Sequence, residues 1–175
     1  MFEKEIKTNE GIENLKEATV FLLLVLLVIL FRLYIITPAS IQGESMMPTL
    51  NDRDLVFLKK YDKTYNRFDI IVHNYGNTKL VKRIIALPGE HVAYRDSVLY
   101  INHEPVEEDF LDGKTDDFDL RKLDHNRIPQ GYYFVLGDNR NFSQDSRVIG
   151  LIAEENILGK TNFRFYPFNQ VGRID

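Results

Sequence analysis

The chain has 175 residues, a formal charge of −4 and no cysteine, which excludes disulfides, cysteine-zinc centres and a cysteine nucleophile. Hydrophobic residues make up 44% and charged residues 27%, as in a folded globular chain, and the length admits one domain plus an appendage. No basic patch stands out on this acidic chain, so a nucleic-acid partner is not expected.

Residues 1–17 are polar and set Lys4, Lys7 and Lys16 against five glutamates. Residues 18–31 carry no charge; Arg32 interrupts the run and 33–36 resume it. As a helix, 18–36 would extend about 28 Å at 1.5 Å per residue, close to a ~30 Å hydrocarbon core. Arg32 could snorkel to the headgroups and Tyr34 could anchor at the interface. A signal peptide usually has a shorter apolar core, about 7–15 residues. A helix apolar on all sides suits the core of a large domain only. The expectation is therefore a single transmembrane helix over 18–37, in the cell membrane. The lysines before it favour a cytoplasmic 1–17 and an extracytoplasmic 38–175. Pro38 ends the helix or kinks its exit. Ser45 then lies within about 20 Å of the bilayer surface.

Residues 43–50 read GESMMPTL. Gly43 lets the backbone approach a ligand, and Pro48 pushes Met47 toward an extended conformation. Ser45, held between them, is a candidate nucleophile, although such stretches commonly serve as plain turns.

The remainder reads as mainly β. Short β-branched runs at 55–58, 69–72, 79–85, 91–94, 98–101, 132–136 and 157–166 are separated by polar turns. Residues 153–156 suggest a helical turn, and the acidic stretch 104–124 a solvated loop or small excursion. In the third run, period two puts Leu80, Lys82 and Ile84 on one face and Val81, Arg83 and Ile85 on the other. A buried lysine loses solvation, and its pKa can fall from ~10.4 to ~7–8, where the neutral amine acts as a base. The competing reading has Lys82 snorkelling or paired with a carboxylate on an edge strand.

Residues 137–147 read GDNRNFSQDSR. Asp138, Asn139 and Asp145 could offer oxygens to a metal, but the spacing is not that of a calcium loop and two arginines oppose a cation. A scaffold of ion pairs and hydroxyl hydrogen bonds is preferred. His73, His91, His103 and His125 lack a partner at helical spacing, so neither a metal nor a cofactor is expected.

In this order the stretches resemble type I signal peptidases, membrane-bound serine proteases that remove signal peptides. The likeness lies in 43–50 (nucleophile motif), 67–72, 82–90 (lysine motif), 137–147 and the closing FRFYP at 163–167, and one anchor with a short insertion resembles the compact Gram-positive form. The resemblance implies an antiparallel, β-barrel-like catalytic domain with a variable insertion at about 91–130. It implies Ser45 as nucleophile and Lys82 as general base, with Ser143 hydrogen-bonded to the lysine amine. Asp145 would pair with Arg147, and Asp138 with Arg83. The Ser45 backbone N–H would donate to the oxyanion, but Gly43 stands where some members carry a serine whose hydroxyl completes that hole. Phe68 and Ala86 also replace glycines common in the family.

The implied partners are signal-peptide-bearing preproteins and the lipid bilayer. The substrate would add as a strand near Ile41 and Leu80. Small side chains at the first and third positions before the scissile bond would enter shallow pockets walled by Ala39, Ile41, Gln42, Leu50, Val72, Leu80 and Val81. Two other readings are a self-cleaving Ser-Lys regulator, which would carry a DNA-binding domain rather than a membrane helix, and a non-catalytic membrane-tethered module of the same fold.

Overall fold

The structure, a computed structural model, describes residues 2–34, 36–111 and 113–174, without the side chains of 2–12 and 31–36. It divides into two units, Met1–Ile36 and Thr37–Asp175.

The first unit is one helix, α1 (Phe2–Tyr34). Every side chain described on it, from 13 to 30, is exposed, including Phe21, Leu22, Leu23 and Leu24. Among the described residues no helix is long and apolar enough to cross a membrane. The described part carries Glu13, Lys16 and Glu17, whereas the far end of the expected span, with Arg32 and Tyr34, lies outside the described side chains.

The second unit is built from thirteen short strands. They are β1 (Ile36–Ser40), β2 (Leu55–Lys59), β3 (Ile70–Tyr75), β4 (Thr78–Ala86), β5 (Val92–Arg95), β6 (Val98–Ile101) and β7 (Glu104–Val106). There follow β8 (Phe118–Asp119), β9 (Tyr132–Leu136), β10 (Ile152–Ala153), β11 (Ile157–Thr161), β12 (Phe163–Tyr166) and β13 (Gly172–Arg173). A single helical turn, α2 (Ser146–Ile149), precedes β10. The larger sheet runs β10-β9-β4-β3-β11-β2-β12-β13, with β1 also on β2; the smaller runs β7-β6-β5-β8. The sheets are mainly antiparallel, but the expected barrel does not close. The larger sheet ends in β10 and β13, two-residue strands that pair only with β9 and β12.

β4 is the central element. β3 pairs along it, with Ile71 opposite Lys82 and His73 opposite Leu80. β9 joins its other side only from Arg83 onward. The edge of β4 before Arg83 is therefore open on that side among the described residues. From Lys82 on, β4 is buried on both faces, because the alternation sends Ile84 into one apolar cluster and Ile85 into another. The first cluster holds Tyr65, Ile71, Tyr133, Val135 and Ile157; the second holds Val92, Tyr94, Phe118, Leu120 and Phe134. A third, of Ile41, Met46, Leu50, Val56, Ile70 and Ile174, lies under the Ser45 turn.

Of the two readings of 104–124, a solvated loop or a small excursion, the described residues take the second. They contribute β7, β8 and a 3-10 turn, Leu120–Leu123, capped by the Asp119 carboxylate. Phe118 and Leu120 are buried. Two of its acids pair with arginines, Glu108 with Arg140 and Asp119 with Arg121, while Glu104, Glu107, Asp109, Asp116 and Asp117 stay exposed.

Candidate active site

Ser45 sits in a tight turn between β1 and β2. Met47 N–H donates to the Glu44 carbonyl at 3.1 Å and Leu50 N–H to the Met46 carbonyl at 2.9 Å. Burial of Met46 and Leu50 pins the turn to the core, leaving Ser45 half-buried at the surface. Gly43 adopts φ +86°, a left-handed conformation that glycine takes without cost. Its N–H donates to Asp52 Oδ1 at 2.9 Å, so it is not free to serve an oxyanion.

Lys82 is 1% exposed. Its Nζ donates to Ser45 Oγ at 2.8 Å and to the Val81 carbonyl at 2.9 Å. Burial pushes the amine down to about 8, against the pull of the Asp145 and Asp138 carboxylates. Neither carboxylate bonds the amine; each is occupied by an arginine. Arg83 grips Asp138 with two bonds, at 2.9 and 2.8 Å, in a fully buried pair. Arg147 grips Asp145 with two bonds of 2.9 Å, and Asp145 also caps α2 and accepts from Gly137 N–H. Both acids are thus bound by arginines rather than by the lysine amine.

Ser143 departs from expectation. Its Oγ is buried with no hydrogen-bond partner and does not bond Lys82. It lies against Gly137, where an added Cβ would overlap both the Ser143 hydroxyl and the Ser45 carbonyl. The amine is instead held by Ser45 and by the carbonyl of the residue before it.

Of the expected pocket residues, Ile41, Leu50 and Val72 are buried, Ala39, Leu80 and Val81 are partly exposed and Gln42 is exposed. A cleft of about 510 Å³, lined by Arg67, Phe68, Arg83, Phe110, Thr161 and Arg173 among others, reaches neither Ser45 nor Lys82. Ser45 is half-buried and Lys82 buried, and Lys82 lies on β4 just before β9 joins it.

Asn139 was missed as a site residue. Its N–H donates to the Ser45 carbonyl at 3.0 Å and its side chain to the Glu44 carbonyl at 3.2 Å. An asparagine two residues after a glycine carries no local signal for that role, since its partners lie ninety-five residues away. Phe68 has φ +71°, the conformation that explains why a glycine suits this place. Among the described residues no group of three or more metal-binding side chains occurs.

The family model described as "Signal peptidase, peptidase S26" matches residues 14–166. The chain belongs to this family. Among its relatives, Signal peptidase I S of Bacillus subtilis (strain 168) is 40% identical over 172 residues, covering 92% of this chain and 94% of the relative. A Signal peptidase I of Bacillus caldolyticus is 42% identical over 153 residues, covering 79% and 84%. A crystal structure of a signal peptidase I from Enterococcus faecalis V583 superposes with a TM-score of 0.53 at 38% identity, covering 55% of this chain and 96% of that one. In this signal peptidase-family chain, the buried amine and the hydroxyl it touches come from two of the stretches, 43–50 and 82–90, that the sequence marks out.

Proposed function

We propose that this peptidase removes signal peptides from exported preproteins, with Ser45 as nucleophile and Lys82 as general base. The observation that carries the reading is the 2.8 Å contact between a buried, depressed-pKa amine and the Ser45 hydroxyl. With a pKa of about 8, roughly a tenth of the amine is neutral at pH 7. In that form its lone pair accepts the Ser45 proton as Oγ attacks the scissile carbonyl. The protonated amine then delivers the proton to the departing nitrogen, leaving an acyl-enzyme. Lys82 next takes a proton from water as its oxygen attacks the ester, then returns that proton to the departing Ser45 Oγ, which frees the acyl product as a carboxyl end.

The Ser45 N–H, which makes no internal hydrogen bond among the described residues, donates to the oxyanion. The second donor is not Gly43, whose N–H is spent on Asp52. The substrate lies as an added strand on the open edge of β4 near Leu80, with Ala39 and Val81 offering shallow apolar contacts that favour small side chains at the first and third positions. The apolar stretch at 18–37 is a single membrane anchor with the catalytic unit outside, a reading supported by the unbroken exposure of its leucines and by the uncharged run from 18 to 31. A catalytic unit tethered at the bilayer meets membrane-held signal peptides at raised effective concentration.

The test is incubation of the full chain, in detergent or liposomes, with a preprotein bearing a signal peptide. The wild type should release one shortened product with a new N-terminus after a small residue. Ser45→Ala should release at least about 10⁴-fold less. Equal cleavage by the alanine variant would remove Ser45 from the chemistry.

A further inference from the structure

We infer that Glu108, on the segment after β7, is a positioning residue for the peptidase reaction, acting through Arg140 on the loop that holds the Ser45 carbonyl. The inference rests on the Ser45-Lys82 reading above.

Glu108 and Arg140 are 5% and 2% exposed and meet at 2.6 Å. A buried guanidinium demands acceptors for its fan of N–H groups, and Arg140 has them. Nη2 donates to Glu108 Oε1; Nη1 donates to Thr115 Oγ1 at 2.7 Å, Tyr94 Oη at 3.1 Å and Glu108 Oε2 at 3.3 Å. Burial holds the Tyr94 phenol well above its usual range, so it stays neutral and donates to Glu108 Oε1 at 2.9 Å. Glu108, Thr115 and Tyr94 all belong to the smaller sheet and its connections, not to the catalytic loop.

The other end of Arg140 belongs to the loop. Its Nε donates to the Gly137 carbonyl at 3.1 Å, and its own carbonyl accepts from Arg147 at 2.7 Å. Between those points the loop touches both halves of the dyad's surroundings. Asn139 N–H holds the Ser45 carbonyl, and Asp138 holds Arg83, the neighbour of Lys82. Two residues beyond Glu108, the Phe110 ring lies 3.9 Å from the same Arg83 guanidinium. The short segment after β7 thus grips two arginines, Arg140 through Glu108 and Arg83 through Phe110.

Residues 137–145 form no strand or helix of their own, so their placement depends on these side-chain anchors. A misplacement of about 1 Å at reacting groups can cost 10²-fold in rate. None of these anchors reaches the open β4 edge where substrate would bind. The loss therefore falls on kcat and spares KM.

The test is Glu108→Gln in the full chain, assayed on a signal-peptide substrate at a temperature where its melting curve shows it folded. The glutamine keeps an acceptor for Tyr94 and removes the charge facing Arg140. The expected result is a kcat at least tenfold lower with KM within twofold, and Glu108→Asp recovering part of the rate. Combined with Asn139→Ala, which removes the side-chain bond to the Glu44 carbonyl, the loss should be smaller than the product of the two single losses, because both loosen the same loop against the Ser45 turn. Unchanged kcat in folded Glu108→Gln, or a multiplicative double variant, overturns the inference. If Glu108→Gln does not fold, Thr115→Val, which removes one acceptor from Arg140, faces the same criteria with a smaller expected drop of about threefold. An inactive wild type would instead overturn the dyad reading, and this inference with it.

Discussion

Gly137 packs so closely on the Ser45 carbonyl that a single methyl group at residue 137 would overlap it. The glycine strand-end and the serine turn are thus one unit, held further by Asn139 N–H on the same carbonyl. Gly137→Ala must push Ser45 and Ser143 apart. Overpacking of this kind typically costs about 1–3 kcal/mol, and the displaced nucleophile should cost on the order of 10²-fold in kcat/KM. Thermal melts and steady-state kinetics on the same preparation check both; unimpaired cleavage would show that the turn tolerates displacement.

Lys82→Met should be inactive yet more stable than the wild type near neutral pH. The folded amine titrates near 8 and the unfolded one near 10.5. Below pH 8 both states hold the proton and the wild type bears the full cost of burying charge. Between 8 and 10.5 only the unfolded chain stays protonated, so wild-type stability rises with pH and levels off above. The difference across that window is on the order of 3 kcal/mol. Urea unfolding of the two proteins from pH 6 to 10.5 measures it; a constant difference would mean that the amine is not depressed.

Ser143→Ala separates two roles for a hydroxyl that is buried and unpartnered. Removing an unsatisfied polar group should not lower Tm and can raise it. If the hydroxyl serves the protonated amine during turnover, kcat falls by about ten- to a hundredfold with Tm unchanged. A lowered Tm with normal kcat would assign it to packing.

Much of this arrangement is legible in the sequence, for a physical reason. Alternation along β4 puts Lys82 and Arg83 on opposite faces, each between apolar neighbours; that leaves snorkelling and burial both open for Lys82, and the fold buries both cations. The open ends of the larger sheet are not legible, because β10 and β13 are two residues long and form only against neighbours already in place. Of the smaller sheet, β5 and β6 are legible as the runs at 91–94 and 98–101, but β7, β8 and the Glu108 ion pair are not, since Glu108 looks solvated until Arg140, thirty-two residues on, folds against it. The expected bond from Ser143 to Lys82 is absent; the amine meets Ser45 Oγ and the Val81 carbonyl instead.

Asp138→Asn should destabilise far more than a surface change. It leaves the Arg83 guanidinium, 1% exposed, without its bidentate carboxylate. Breaking such a buried pair typically costs about 3–5 kcal/mol, a large part of a small domain's stability. Equilibrium unfolding of the variant checks this; a loss below about 1 kcal/mol would place the pair in a far wetter setting.

The central claim is that a neutral Lys82 takes the Ser45 proton. The most direct measurement is the pH dependence of kcat/KM between pH 5.5 and 10 on a substrate with no group titrating in that range. The account expects an acidic limb with a midpoint near 8, falling about tenfold per pH unit below it. A profile flat from pH 6 to 8, or a Lys82→Met variant that still cleaves with the same limb, would contradict it.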